Sequence, residues 1–192
     1  MNQRNLLEVD WSKIPAPTDD GAAAHLEGMK IPPIILVATD DTSVTLSTLP
    51  GRTVVFAYPR TGEPGKIALV DDWDMIPGAR GCTPQTCAFR DQFAELKAAG
   101  AGHVFGLSTQ SNEYQTEMAS RLHLPFPVLS DEKLELTRAL DLPTMQVAGL
   151  TLIKRLALVL DAGRITHVFY PVFPPDRNAA DVLAWLERNP PR

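Results

Sequence analysis

Three short runs constrain this chain most. TVVFAY (Thr53 to Tyr58) is apolar almost throughout and follows the turn pair Pro50-Gly51. HVFGLST (His103 to Thr109) and RLALVLD (Arg155 to Asp161) have a similar character. A strand with water on one face alternates apolar and polar residues, whereas a continuous apolar run suits a strand covered on both faces. The chain is therefore expected to build a sheet buried between other elements.

The segments between these runs supply the covering layers. IILVA (Ile34 to Ala38) and SVTL (Ser43 to Leu46) flank Thr39-Asp40-Asp41-Thr42 and read as a hairpin. Residues 59–81 carry Pro59, Gly62, Pro64, Gly65, Pro77, Gly78 and Gly81. They read as a loop, and loops of that length in compact domains are often functional. A helix is expected from about Pro84 to Ala99, with Phe89, Phe93 and Leu96 at helical spacing and Gly100 as its stop. Asn112 to Leu122 is a second helix. Pro125 and Pro127 flank a short extended piece ending at Leu129, and Ser130-Asp131 caps a helix running to about Leu140. RLALVLD and RITHVFY (Arg164 to Tyr170) join through Asp161-Ala162-Gly163 as a hairpin. Asp176 to Arg188 closes the chain as a helix that turns Val182, Leu183, Trp185 and Leu186 to the core. This order predicts an α/β fold, a central mixed β-sheet flanked by helices with an N-terminal hairpin, which is the thioredoxin-like arrangement. Residues 1–27, broken by Pro15, Pro17, Asp19-Asp20 and Gly21, read as an N-terminal arm, and residues 28–192 as one domain.

Composition narrows the function. Hydrophobic residues are 44% and charged residues 21%, an ordinary globular mix. The net charge of −5 disfavours nucleic acid and anionic membranes as partners. No apolar run approaches the roughly 20 residues that span a bilayer. Met1 to Trp11 has no apolar signal core, so the expected location is cytoplasmic. His25, His103, His123 and His167 are scattered and form no metal-binding spacing with the cysteines, so neither a metal nor a cofactor is expected.

The chain has two cysteines, Cys82 and Cys87, in GARGCTPQTCAFRD (Gly78 to Asp91). In a reducing compartment such a pair is more often catalytic, redox-sensing or metal-binding than a structural bridge. Cys82 falls where a loop hands over to a helix. Helix N-termini present unpaired N–H groups and partial positive charge, which favour thiolate over thiol. Pro84 suits a first helical turn, and Thr83 can cap it. The blander reading is two small buried hydrophobes. Gly81, Thr83 and Pro84 speak against it, because they mark a junction rather than a core face. The pair is not the CxxC of dithiol exchangers. In an intact helix, Cα atoms five residues apart lie about 8.7 Å apart. A disulfide needs roughly 4.4–6.8 Å. The two sulfurs can therefore meet only if the first helical turns unravel. That suits a cysteine oxidised alone to sulfenic acid and then met by its neighbour.

YPRTG, GCTPQTCAFRD, HVFGLST, LPFPVLSD and RLALVLD together resemble the peroxiredoxins, and most closely the peroxiredoxin Q group, also called bacterioferritin comigratory protein. The resemblance covers about Met29 to Leu186. It implies a thioredoxin fold and reduction of hydrogen peroxide and organic hydroperoxides by thiol chemistry. It also implies a thioredoxin or similar dithiol as reductant, working on a monomer or homodimer. By position, Cys82 would be the peroxidatic cysteine and Cys87 the resolving one. Arg155 would sit beside the thiolate, stabilising it and the peroxide's outer oxygen. Gln85 would orient local hydrogen bonds, and Arg90-Asp91 would form a structural salt bridge. The alternative on the same fold is a thiol–disulfide exchanger or a peroxide-sensing redox protein.

The sequence departs from the family motif Pro-x-x-x-Thr/Ser-x-x-Cys. Met75 and Ala79 stand seven and three residues before Cys82. The matching Tyr58-Pro59 pair lies too far upstream, as if about 16 residues, roughly Glu63 to Gly78, were inserted. Pro59 is the candidate to shield the thiolate. Thr61 is the candidate for the missing hydroxyl if the loop folds back. The insertion could lid the pocket, bind a partner or bury Trp73 in a dimer.

Overall fold

The structure, a computed structural model, describes residues 9–191. Residues 1–8 of the expected N-terminal arm, and Arg192, lie outside the described residues. A seven-stranded mixed sheet forms from β1 (Leu36–Ala38), β2 (Ser43–Val44), β3 (Arg52–Ala57), β4 (His103–Ser108), β5 (Val128–Ser130), β8 (Leu156–Asp161) and β9 (Arg164–Phe169), in the order β2-β1-β5-β4-β3-β8-β9. β3, β4 and β5 run parallel, and β1, β8 and β9 pair antiparallel to their neighbours. The expected N-terminal hairpin is β1–β2, paired Leu36 to Val44.

Every residue of β3 is buried. Val54 and Phe56 face one core with Phe89, Leu96, Met118, Val182 and Leu186. Val55 and Ala57 face the other with Leu26, Leu36, Leu136, Leu140 and Ile153. Both faces thus need apolar side chains, each worth roughly 1.5–3 kcal/mol when fully buried, and the alternation disappears. Ala23 and Leu26 of the N-terminal arm belong to the second core.

The helices are α1 (Cys82–Asp91), α2 (Phe93–Ala98), α3 (Asn112–Arg121), α4 (Glu135–Ala139) and α5 (Asn178–Arg188). Two helices thus replace the single one expected from Pro84 to Ala99. Gln92 leaves helical geometry at φ −103° and ψ 13°, yet Phe89 stays buried and Phe93 half-buried. Helical spacing of apolar residues survives a bend, so it does not reveal one. α4 is also shorter than expected. Leu134 takes a left-handed φ of 58°, and the Asp131 carboxylate accepts from Leu136 N at 3.1 Å and Thr137 N at 2.8 Å across that turn. A 3-10 turn over Pro175–Arg177 leads into α5.

One element is new: a separate hairpin of β6 (Thr144–Val147) and β7 (Leu150–Ile153). The loop over residues 63–78 folds onto it. Trp73 and Ala79 form a third small core with Val147 and Leu152, flanked by Leu69, Val70, Ile76 and Met145. Trp73 is therefore buried within its own chain rather than waiting for a dimer partner.

Candidate active site

α1 begins abruptly. Gly81 holds φ at 102°, a left-handed value that only glycine adopts without strain, and Cys82 is the first helical residue. Gln85 N donates to Gly81 O at 3.0 Å, closing the first turn around Pro84. The Thr86 hydroxyl donates to Cys82 O at 2.9 Å. Among the described residues no side chain caps this end, and Thr83, expected as a cap, is instead buried inside the first turn. Phe89 then stacks on Phe56 of β3, with ring centroids 4.0 Å apart, and pins the helix to the sheet.

Arg155 completes the site from across the sheet. It immediately precedes β8, whose Leu156 pairs with Ala57 at the carboxyl end of β3. An antiparallel strand that starts where β3 ends puts its first residues beside the start of α1. Arg155 is 2% exposed and Cys82 3%. Arg155 Nη2 lies 3.3 Å from Cys82 Sγ. The same nitrogen donates to the carbonyls of Gly78, Ala79 and Arg80 at 3.1, 3.3 and 3.0 Å. Its two N–H groups are thus shared among a ring of acceptors that the loop before Cys82 wraps around the guanidinium. Buried charge is costly unless paired or hydrogen-bonded, and those carbonyls meet the cost. The Cys82 thiol itself points at Ala79 O, 3.5 Å away.

A second layer holds the first. Arg155 Nη1 donates to Gln85 Oε1, and Gln85 Nε2 donates to Asn178 Oδ1 at 2.9 Å. Asn178 opens α5, and both amides are fully or almost fully buried. Asn178 fixes which end of the Gln85 amide faces Arg155. Arg155 Nε is buried and has no protein partner among the described residues. Tyr58 is also enclosed, with its hydroxyl donating to Gln115 Oε1 at 3.2 Å. Burial, and next the charge of the nearby Cys82, push the Tyr58 hydroxyl far up, so it stays protonated.

Cys87 lies about one and a half turns along α1 and is also buried, and both cysteines are free. Burial pushes its thiol up from the ordinary value. The helix is unbroken between the two cysteines.

Thr61 is buried but turned to other work. Its hydroxyl donates to Gln110 Oε1 at 3.1 Å, and Gln110 Nε2 and the Tyr114 hydroxyl donate to its carbonyl. Pro59 is buried two residues past β3. Both belong to a loop anchored on the β4–α3 connection. Neither makes a hydrogen bond to Cys82 among the described residues. The side chain at position 79, where the family motif has its hydroxyl, sits in the small core beside Trp73.

A family model described as Redoxin matches residues 26–183. The chloroplastic peroxiredoxin Q of Sedum lineare is 32% identical over 84% of this chain and 77% of that protein. The chain belongs to the redoxin family, among its peroxiredoxin Q members. Peroxidoxin BcpB of Mycobacterium tuberculosis superposes with a TM-score of 0.67 at 25% identity, covering 85% of this chain and 97% of that one. Peroxiredoxin Q of Xanthomonas campestris shares the fold at 21% identity, with a TM-score of 0.64 over 92% of this chain and 98% of its own.

This redoxin carries the thioredoxin-like sheet with its two cysteines on α1, at the carboxyl end of β3. The 63–78 loop meets the site at Ala79, three residues before Cys82, and packs outward onto β6 and β7. Gln110, Gln115 and Asn178, which organise the site's surroundings, are silent in the sequence. Each is a lone amide on a helix or loop, and only its buried partners reveal its use. Arg90 pairs with Asp91 at 2.8 Å and donates to Leu122 O, tying α1 to the end of α3.

Proposed function

We propose that this redoxin is a thiol-dependent peroxidase in which Cys82 is the peroxidatic cysteine, Cys87 the resolving cysteine and Arg155 the group that orients thiolate and peroxide. The observation that carries this reading is the 3.3 Å approach of Arg155 Nη2 to Cys82 Sγ at the start of α1. The Cys82 thiolate attacks the outer oxygen of the hydroperoxide, the O–O bond breaks, and the alkoxide or hydroxide leaves and takes a proton. Arg155 Nε is the donor left over for the peroxide. The product is Cys82 sulfenic acid. The Cys87 thiol then attacks that sulfur, a water leaves, and an intramolecular disulfide forms. A dithiol of the thioredoxin type reduces it by exchange.

Hydrogen peroxide and organic hydroperoxides are the substrates. The alkyl peroxide reduction named for the Xanthomonas campestris bacterioferritin comigratory protein supports including the latter. Both cysteines lie on one helix of one chain, so the cycle closes in a monomer or in a homodimer. A reducing compartment, the cytoplasm in our reading, suits a chain whose cysteines are free thiols. Pro59 and Thr61 act by bracing the loop that ends β3 rather than by touching the peroxide.

The test is peroxide-dependent consumption of dithiothreitol or thioredoxin by the wild type and by Cys82→Ser. Sustained turnover lost in Cys82→Ser supports the reading. A single oxidation without turnover under both reductants would mark a sensor instead.

A further inference from the structure

The described part of the N-terminal arm crosses the very segment that must move. Trp11 opens a 3-10 turn over Trp11–Lys13, and its indole Nε1 donates to Asp176 Oδ2 at 2.9 Å. Its ring meets Phe173 edge-on, with centroids 6.0 Å apart. The far edge of the ring rests on Gly81. A Cβ placed there would fall 2.7 Å from Trp11 Cη2 and 2.7 Å from Pro175 Cγ. Further along, Pro17 lies against Gly78. Asp20 ties down the other end, accepting from Lys154 Nζ at 2.6 Å and from the Tyr170 hydroxyl at 2.7 Å. Residues 10–20 are thus a strap fastened at both ends, lying over the 78–81 loop whose carbonyls hold Arg155.

We propose that Trp11 is a positioning residue for the resolving step. It clamps the Gly81–Cys82 junction and so sets how the Cys82 sulfenic acid partitions between the disulfide and over-oxidation. The proposal rests on the peroxidatic and resolving roles assigned above. With α1 wound, the sulfurs stand on Cα atoms about 8.7 Å apart, beyond disulfide reach. Resolution passes through an unwound first turn. In that state Gly81 withdraws from beneath Trp11 and Pro175, so the strap's contacts favour the wound state alone. A contact made in only one of two states shifts their populations by its full worth. Two reactions compete for the sulfenic acid. In the unwound state Cys–SOH and Cys–SH give the disulfide and water. In the wound state Cys–SO⁻ attacks a second hydroperoxide and gives Cys–SO₂⁻ and the alcohol. The strap slows the first and leaves the second its substrate.

The experiment reads that partition directly. Full-length wild type, Trp11→Phe, Trp11→Ala and Asp176→Ala are cycled with hydrogen peroxide and dithiothreitol. Intact-mass spectrometry gives the peroxide concentration at which half the chains carry sulfinic acid. Trp11→Ala should raise that concentration roughly threefold to tenfold, as expected when contacts worth a typical hydrogen bond or a little more are lost. Trp11→Phe and Asp176→Ala, which lose the indole hydrogen bond, should shift it less and in the same direction. Thermal unfolding of the reduced proteins identifies any variant that fails to fold, and Asp176→Ala decides alone if Trp11→Ala is one. An unchanged or lowered concentration in the folded variants overturns the strap while leaving the site intact. If peptide mapping of the wild type finds no Cys82–Cys87 disulfide, the site reading falls and the strap with it.

Discussion

Arg155 Nη2 stands 3.3 Å from Cys82 Sγ while the same nitrogen is held by the carbonyls of Gly78, Ala79 and Arg80. The guanidinium is preorganised by the loop that delivers the cysteine. In the mechanism proposed above, removing it takes away a positioned donor for thiolate and peroxide. Arg155→Ala should slow single-turnover oxidation of Cys82 by about 100-fold, the usual scale for losing one preorganised donor. Arg155→Lys should recover only part of this, because a lysine cannot reach Gln85, the loop carbonyls and the sulfur at once. Stopped-flow measurement with hydrogen peroxide decides it, and an unchanged rate in Arg155→Ala removes Arg155 from the site.

Gln85 Nε2 donates to Asn178 Oδ1 in a place with no water-exposed surface to fall back on. Asn178→Leu should leave that amide unsatisfied and cost about 1–3 kcal/mol of stability. It should also slow Cys82 oxidation modestly, since Gln85 is then free to turn its amide away from Arg155. Urea denaturation and the same single-turnover assay measure the two effects.

Cys87→Ser should still consume one peroxide per chain. It should then stop at sulfenic acid and over-oxidise at lower peroxide than the wild type, because no thiol competes for the sulfur. Mass spectrometry of the peroxide-treated protein shows the species. An intermolecular disulfide in the wild type would contradict the assignment of Cys87.

The Cys87 thiol is pushed above its ordinary value of 9.0 by burial. The unfolded chain then releases this proton at a lower pH than the folded one does. Above about pH 9 the unfolded state binds fewer protons, so stability falls as pH rises. The contribution is fully present below that pH and is lost as the pH climbs through the folded value. Reduced wild type should therefore lose more stability between pH 8 and 10 than Cys87→Ser does. Thermal melts under reductant test this, and identical pH profiles would show that burial does not hold the thiol neutral.

Trp73 is 7% exposed and shares its small core with Ala79, Val147 and Leu152. Trp73→Ala should cost about 3–5 kcal/mol locally. It should also slow Cys82 oxidation, because Ala79 supplies one of the carbonyls that hold Arg155. A variant that melts earlier but oxidises at the wild-type rate would show that the 63–78 loop is scaffold for itself alone.

Much of the architecture was legible in the order of residues. β3, β4 and β8 announced themselves because a strand enclosed on both faces carries a nearly unbroken apolar run. Gly81 and Pro84 marked a helix start through their backbone properties, whereas Thr83, read as a cap, makes no cap hydrogen bond. The β6–β7 hairpin escaped notice. Among the described residues its strands pair only with each other, and three of the four residues of β6 are not fully buried, so β6 carries no apolar run to mark it. The bend at Gln92 escaped for the opposite reason, since apolar spacing is the same on either side of it.

What the sequence by itself determined was the local chemistry: a cysteine at the mouth of a helix, a second one five residues on, and buried strands to carry them. Those features follow from hydrophobic periodicity and from the conformational limits of glycine and proline, which act over a few residues. The tertiary structure alone decided which distant groups meet that cysteine. Arg155 comes to Cys82 because β8 runs antiparallel to β3 and begins where β3 ends. Thr61 is drawn to Gln110 because the loop after β3 is anchored on the next strand's exit, and Ala79 is turned into the core beside Trp73. Trp11 arrives over Gly81 because residues 10–20 are fastened to Asp176 at one end and to Lys154 and Tyr170 at the other. Contacts of this kind depend on strand direction and on the closure of long loops, and neither is written in the spacing of neighbouring residues.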